Sequence, residues 1–515
     1  MTCEELSRKA LEECCSAETT AHHGGGEGRP YWNVHSSQFM FAPSFQFPSI
    51  PHIKRYRFTA TDENGGEHTF EATSSCALLA PIWREIAEGV VRLRVTALDR
   101  DGEEVTEVGT RTFFKLAPFP SDLPQAACTY RECAVRAFEY TLSQPSVRHW
   151  LESGTPDPDY DLNVYPSKMI SAIIAGMLEY ACISPEKEAE AVQLAKNAAD
   201  YLLKITYDEK SPLAGLPPTY YVDFRPNPET RQNLTADRLK DTVMLIYPAH
   251  VGKAYLQLWQ KTDERKYLDG ALKIAQYYRE HIQANGSWYL VVSAQTGEAV
   301  DPNYCNPLER IVPFLMALYE RTGEAEWKEL SDRAIAYVER EILPAYNWEA
   351  QFEDSPLSVQ YSNLTHYGAC ALIRYYAQYF ADDAEKMACA EDLMRFVEDQ
   401  FVIWKRPPVW NGRWTHLDEW RLPAGLEQYE WYVPIDASTA DIMLTFLAMY
   451  RAGRGELYLA KAKALADQIT RMQQANGQIP THWFSDEWTA KSLNFWLNCH
   501  FQAASAMAEM AKKAK

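Results

Sequence analysis

The chain has 515 residues, which is too long for one ordinary core. Of these residues 46% are apolar and 23% are charged, and these proportions are those of a folded protein. Its formal net charge of −19 argues against a nucleic acid or an acidic membrane as partner, because both require a basic surface. No apolar run approaches the roughly 18 residues of a membrane span, and residues 1–17 lack the pattern of a secretory signal. We therefore expect a cytoplasmic protein, with a trimmed signal left open.

The first segment, residues 1–29, combines a short helical stretch with Gly24-Gly25-Gly26 and is predicted to be a flexible tail. The eleven cysteines show no CxxC spacing, which fits a reducing compartment better than a disulfide framework. No metal signature is convincing, since His22-His23 lies in the tail and His482 and His500 lack a partner at ligand spacing. We therefore predict no metal and no cofactor.

Short alternating strands dominate the next segment, residues 30–120. Apolar and polar residues alternate over residues 54–60, 67–72 and 90–97, with a turn signal at Asn64-Gly65-Gly66. This spacing predicts a small antiparallel β-sandwich domain. The order of a YRF strand, the LAPIW segment (Leu79 to Trp83) and the GVVRLRV and GTRTFF strands resembles the fibronectin-like modules that precede heparinase-type lyase domains.

From residue 121 to residue 515 the apolar spacing becomes helical. Twelve helices are predicted, which make six hairpins. They cover residues 127–144, 167–183, 187–205, 242–261, 264–283, 306–321, 324–342, 364–381, 384–402, 438–452, 456–473 and 490–512.

Three hairpins repeat one pattern, in which a helix is followed by a tight turn and by a second helix that starts with an aromatic residue: Tyr267, Trp327 or Tyr458. Repeated hairpins that bury one face against their neighbours form either an open superhelix or a closed ring, and six favour closure. The long connections would then gather at one end of the ring, where a cleft belongs. They are residues 206–241, 284–305, 343–363, 403–437 and 474–489.

This pattern resembles the (α/α)-toroid carbohydrate-active enzymes, which include six-hairpin glycosidases and lyases of alginate, glucuronan and heparin-like chains. The loops Asn285-Gly286-Ser287-Trp288 and Asn476 to Thr481 are similar to loops common in that group. The resemblance implies a mainly α toroid after the β domain and an oligo- or polysaccharide substrate. It leaves the reaction and the number of hairpins, six or seven, open.

Tryptophan is concentrated in one long connection. Aromatic side chains offer flat faces to sugar rings, so the cluster predicts a sugar-binding wall, with a structural lid as the alternative. Trp348 and Glu353 in the preceding connection are further candidates for substrate binding. The clustered residues are Trp404, Trp410, Trp414, Trp420 and Trp431.

A polar segment, residues 360–367, opens one predicted helix at the same end. By analogy with the toroidal lyases, Asn363 would polarise a uronate carboxylate with Arg421 assisting. In the same analogy His366 would be the base that removes the C5 proton, and Tyr429 or Tyr361 the acid for the leaving oxygen. The structural alternative is that Asn363 caps the helix and His366 packs in the wall.

Hydrolysis is the competing reaction, and it needs two carboxyl groups that face each other across a sugar. Glu427, Asp436 and Glu353 are the main candidates, and Glu430 and Asp161 lie in similar loops. A third possibility is a glycan-binding protein without catalysis. We expect an enzyme that cleaves glycosidic bonds, with a uronate-specific lyase favoured over a glycoside hydrolase.

Overall fold

The structure is a computed structural model that describes residues 1–16, 32–221, 234–352, 359–408, 420–484 and 496–513. Its strands are β1 (Gln38–Phe39), β2 (Arg55–Thr61), β3 (Glu67–Ala72), β4 (Gly89–Leu98), β5 (Glu104–Lys115), β6 (Thr242–Met244), β7 (Val291–Ser293), β8 (Val402–Ile403) and β9 (Ala424–Gly425). Its helices are α1 (Cys3–Ser16), α2 (Ala80–Trp83), α3 (Tyr130–Ser143), α4 (Pro145–Ser153), α5 (Pro166–Ile183), α6 (Glu188–Ile205), α7 (Leu234–Leu239), α8 (Pro248–Thr262), α9 (Arg265–His281), α10 (Ile311–Thr322), α11 (Ala325–Tyr337), α12 (Leu343–Ala345), α13 (Tyr367–Tyr379), α14 (Ala384–Phe401), α15 (Asp436–Arg451), α16 (Glu456–Met472) and α17 (Leu497–Lys513).

The N-terminal β unit is one five-stranded sheet in the order β1-β5-β4-β2-β3. Only β1 runs parallel to its neighbour β5, and the other pairs are antiparallel. The small β unit predicted from the sequence is present, but residues 32–221 hold no second sheet that faces the first. Aromatic side chains from β1, α2 and the segment between β1 and β2 cover the apolar face instead, since the rings of Phe39, Phe45 and Trp83 lie 5.6, 5.3 and 6.0 Å from that of Phe113 in β5.

Two concentric sets of helices form a closed ring after the sheet. The inner helices are α5, α8, α10, α13, α15 and α17, and each packs against an outer partner, in that order α6, α9, α11, α14, α16 and α3. Inner neighbours also contact one another: Gly176 of α5 approaches Phe501 of α17 closely, and Tyr379 of α13 donates a 2.6 Å hydrogen bond to Glu320 of α10. The predicted toroid of helical hairpins is confirmed.

The repeated aromatic residue packs back against its own hairpin, as the pattern predicts. The ring of Tyr267 in α9 lies 6.3 Å from that of Tyr255 in α8, and Tyr458 in α16 lies 6.3 Å from Phe446 in α15. Trp327 instead anchors its turn, because its indole N–H donates to Glu324 at 2.8 Å. Each hairpin thus carries its own aromatic contact at the short-loop end.

Proline marks where two inner helices begin, at Pro166 in α5 and Pro248 in α8. The helix predicted over residues 242–261 begins later in the structure, at Pro248, since Thr242–Met244 pairs with β7 as strand β6. Every long connection leads into the N-terminal end of an inner helix. The long connections therefore gather at one end of the ring, as predicted.

The N-terminal segment is fixed to the ring by a buried carboxylate at the end of α14. Asp399 is fully buried and accepts hydrogen bonds from the backbone N–H groups of Met40 and Phe41. Gln400 adds a 2.8 Å hydrogen bond to the carbonyl of Gln38. Burial raises the pKa of Asp399 to about 7. Asp399 thus has a structural role, because it joins the segment that leads into the sheet to the ring.

Within the described ranges, none of the helices combines the length and apolar character needed to cross a membrane. All eleven cysteines carry free thiols.

Candidate active site

A cavity of about 800 Å³ opens at the end of the ring where the inner helices begin. Its lining comes from the inner helices, from their first turns to their middles, and from the connections that precede them. Lys168 and His250 are the third residues of α5 and α8, Arg310 directly precedes α10, and Tyr367 is the first residue of α13. The positive ends of several helix dipoles therefore point toward this space.

Three nitrogen-bearing side chains surround the ring of Tyr247 and form what we call the basic wall: Lys168, His250 and Arg310. The Lys168 ammonium lies 5.8 Å, and the Arg310 guanidinium 5.3 Å, from the centroid of the Tyr247 ring. The imidazole of His250 stacks on the same ring at 6.4 Å. The three groups come from three different elements but meet at one side of the cavity.

The imidazole of His250 is neutral in this setting. Burial lowers its pKa well below the ordinary value, and the positive charges of Arg310, Lys253 and Lys168 lower it further. Among the described residues, neither ring nitrogen has a hydrogen-bond partner. His250 can therefore accept a proton from a molecule bound in the cavity.

Glu309 lies beside the basic wall, and its carboxyl group is a weaker acid than an ordinary glutamate. Burial raises its pKa to about 7, and the nearby guanidinium of Arg310 only partly opposes this effect. Its Oε2 atom is buried and has no hydrogen-bond partner in the part of the chain that the structure describes. A carboxyl with this pKa is partly protonated near neutral pH and can serve as a general acid.

Further carboxylates line the cavity. Glu427 and Glu430 lie on the connection between α14 and α15, and Asp161 lies before α5. Asp441 of α15 also reaches the lining, but its Oδ1 is ion-paired with Arg374 at 2.9 Å. The cavity lining thus carries both cations and carboxylates.

Two tryptophans line the cavity. Trp431 meets the ring of His482 edge to face at 6.2 Å. Trp496, just before α17, lies 4.9 Å below the Lys168 ammonium and stacks with Tyr165 at 6.4 Å. Both are partly exposed, so each can offer ring surface to a ligand.

All five residues assigned to elimination from the sequence lie outside the cavity lining, and three of them are buried. Asn363 is 3% exposed, and its side-chain oxygen accepts the backbone N–H of Glu430 at 3.0 Å. His366 is fully buried against Tyr367. Tyr429 donates a 2.6 Å hydrogen bond to Gln400, on the side of the N-terminal segment. Each of these three side chains is used in packing or in holding a loop.

The remaining catalytic candidates lie at varied places. Glu427 lines the cavity. Asp436, the first residue of α15, is fully buried, and burial raises the pKa of its carboxyl well above the ordinary value. Tyr361 donates to the carbonyl of Ala345 at 3.2 Å, and Arg421 donates its backbone N–H to Trp483 at 2.8 Å.

The tryptophan cluster divides. Trp431 lines the cavity, whereas Trp404 is 1% exposed and donates its indole N–H to Glu398 at 3.0 Å. Trp420 and Trp348 are also buried. Three predicted residues, Trp410, Trp414 and Glu353, lie outside the described residues.

Five residues that line the cavity were not predicted from the sequence: Lys168, His250, Glu309, Arg310 and Trp496. The signal available was the position of prolines at helix starts. Pro166 and Pro248 place Lys168 and His250 in the first turn of an inner helix, which faces the cleft end of the ring.

The sequence matches no family model and no curated protein. Among solved structures, the chain is similar to a family 76 glycoside hydrolase from a bovine Bacteroides thetaiotaomicron strain, with a TM-score of 0.51, 9% identity, and 92% of this chain and 100% of that chain covered. It is also similar to cellobiose 2-epimerase from Spirochaeta thermophila, with a TM-score of 0.52, 12% identity and coverage of 75% and 98%. D-mannose isomerase gives a TM-score of 0.52, 12% identity and coverage of 74% and 97%. At these identities, the likeness establishes the (α/α)6-toroid fold.

Proposed function

We propose that this protein is a carbohydrate-active enzyme that binds an acidic sugar in the cavity and cleaves a glycosidic bond beside a uronate by β-elimination. The coarser part, action on a carbohydrate, is supported by the toroid and by the sugar-converting names of its structural neighbours. The finer part, elimination, rests on the chemistry of the basic wall. An experiment can therefore exclude elimination without excluding action on a carbohydrate.

The observation that carries the proposal is a neutral histidine between two cations. A uronate carboxylate needs positive charge against it before the neighbouring C5 proton becomes acidic enough to remove. Lys168 and Arg310 supply that charge around Tyr247, and His250 stacks on the same ring. The converging N-terminal ends of inner helices add a favourable field for an anion.

The reaction then follows in one balanced step. His250 accepts the C5 proton while Arg310 and Lys168 stabilise the negative charge that develops on the carboxylate. The C4–O bond breaks, a C4=C5 double bond forms, and the protonated carboxyl of Glu309 gives its proton to the leaving oxygen. This assignment moves the base from His366 to His250 and the acid from the tyrosines to Glu309.

The test is a product assay on a panel of polyuronates and of matched neutral glycans. The unsaturated uronate absorbs in the ultraviolet, so absorbance should rise on at least one polyuronate and on none of the neutral chains. Arg310→Gln should raise KM for the polyuronate, because it removes a cation from the carboxylate site. If no polyuronate gives an absorbing product at any pH, elimination is excluded.

Hydrolysis is the second candidate, and a specific observation favours it. Glu309, with its pKa near 7, and Glu427 both line the cavity, and a glycosidase needs one protonated and one ionised carboxyl group. New reducing ends without absorbance, together with an inactive Glu427→Gln variant, would support this reaction. Sugar binding without turnover on either panel would support a glycan-binding protein.

A further inference from the structure

Three side chains that can bind metal ions converge between two neighbouring inner helices, beside the cavity wall. His366 directly precedes α13, and Cys370 follows it by four positions. The two residues therefore share one face at the N-terminal end of this helix. Asp441 projects from α15, which packs against α13. One ligand atom from each lies within 4.8 Å of the others, and all three residues are buried.

The distances suit a small, tetrahedral metal ion. His366 Nδ1 lies 3.4 Å from Asp441 Oδ2 and 3.8 Å from Cys370 Sγ. Zinc bonds to nitrogen and oxygen near 2.1 Å and to sulfur near 2.3 Å, which places tetrahedral ligands about 3.3 to 3.7 Å apart. The side chains need little adjustment to enclose such an ion.

One atom of this group lacks a partner among the described residues. Asp441 Oδ2 is buried and forms no hydrogen bond, although its Oδ1 is ion-paired with Arg374. A buried carboxylate oxygen without a partner is costly. Arg374 also donates a hydrogen bond to Thr445 at 2.6 Å. This oxygen faces the histidine and the thiol, and it lies 3.4 Å from His366 Nδ1.

We propose that His366 Nδ1, Cys370 Sγ and Asp441 Oδ2 bind one zinc ion. An imidazole, a thiolate and a carboxylate suit zinc, whereas magnesium and calcium prefer oxygen ligands alone. Binding releases the thiol proton of Cys370, and the two anionic ligands then neutralise the charge of the ion.

No fourth His, Cys, Asp or Glu joins the group in the part of the chain that the structure describes, so a water molecule completes the coordination. The ion would tie α13 to α15 and fix Asp441, and through it Arg374, at the cavity wall. This site does not depend on the proposed elimination.

The direct test is the zinc content of the purified chain. Metal-free protein is incubated with excess zinc, desalted and measured by mass spectrometry of the metal, and we expect about one zinc per chain. Cys370→Ser and Asp441→Asn should each lower the retained zinc at least tenfold. Cys133→Ser is the matched control, because Cys133 is equally buried but lies on the outer helix α3.

Cobalt gives a second readout that needs no variant. Cobalt bound to the intact chain should show the near-ultraviolet charge-transfer band of a thiolate ligand, whatever the effect of the substitutions on folding. Intact protein that retains no zinc, or a cobalt complex without the thiolate band, would overturn the site. Full zinc retention by a folded Cys370→Ser variant would overturn it as well.

Discussion

Replacing His250 with glutamine should lower the rate of unsaturated-product formation by about 10²- to 10⁴-fold, the usual contribution of a general base. Glutamine keeps a polar side chain of similar reach but cannot accept the C5 proton. The third position of α8 is in the first helical turn, so the substitution leaves the buried face of the helix in place. The loss should therefore appear in kcat, measured with saturating polyuronate, while KM changes little.

His149→Gln is the control for this experiment. His149 lies in α4, and it is absent from the cavity lining. Its substitution should leave kcat and KM unchanged. If His250→Gln retains the full rate, the base lies elsewhere, and the assignment to the basic wall is wrong.

Glu309→Gln should remove the alkaline limb of the pH profile as well as lower kcat by about 10²-fold or more. A general acid works in its protonated form, so the wild-type rate should fall as the pH rises through about 7, where Glu309 loses its proton. Glutamine does not titrate, so this decline should disappear in the variant.

The acidic limb reports on His250 instead. A base works in its deprotonated form, and burial with neighbouring cations lowers the pKa of His250 below its ordinary value of about 6.5. The rate should therefore persist below pH 6.5. The acidic limb of the pH profile should have the same shape for the wild type and Glu309→Gln. Glu298→Gln, at an exposed position of a long connection, should change neither limb. An unaltered alkaline limb in Glu309→Gln would assign that pKa to another group.

The ring could be predicted from the sequence because its signals are local. The helical spacing of apolar residues and the aromatic after each turn recur in the chain, and both depend on neighbours within one hairpin. The boundary of α8 was harder, since Thr242–Met244 is fixed as a strand by pairing with residues 291–293, far away in the sequence. Tertiary pairing determined that boundary.

The candidate site was predicted less well, because helix orientation decides which side chains face the axis. His366 and His250 both start inner helices, but His366 turns toward Phe401 of its outer partner and is buried, whereas His250 faces the cavity. The tryptophan cluster divides for the same reason. Trp404 packs between Phe119 and Phe446, at the junction with the N-terminal segment, and Trp431 lines the cavity.

The central claim is that a proton leaves C5 of an acidic sugar in this cavity, and the product masses of a C5-deuterated oligouronate test it most directly. Elimination predicts that the masses of the two fragments add up to the mass of the substrate with one deuterium replaced by hydrogen from solvent. The missing deuterium is the one at C5 of the unsaturated fragment. Fragments that together gain one water and keep every deuterium would contradict the account and assign the cavity to hydrolysis.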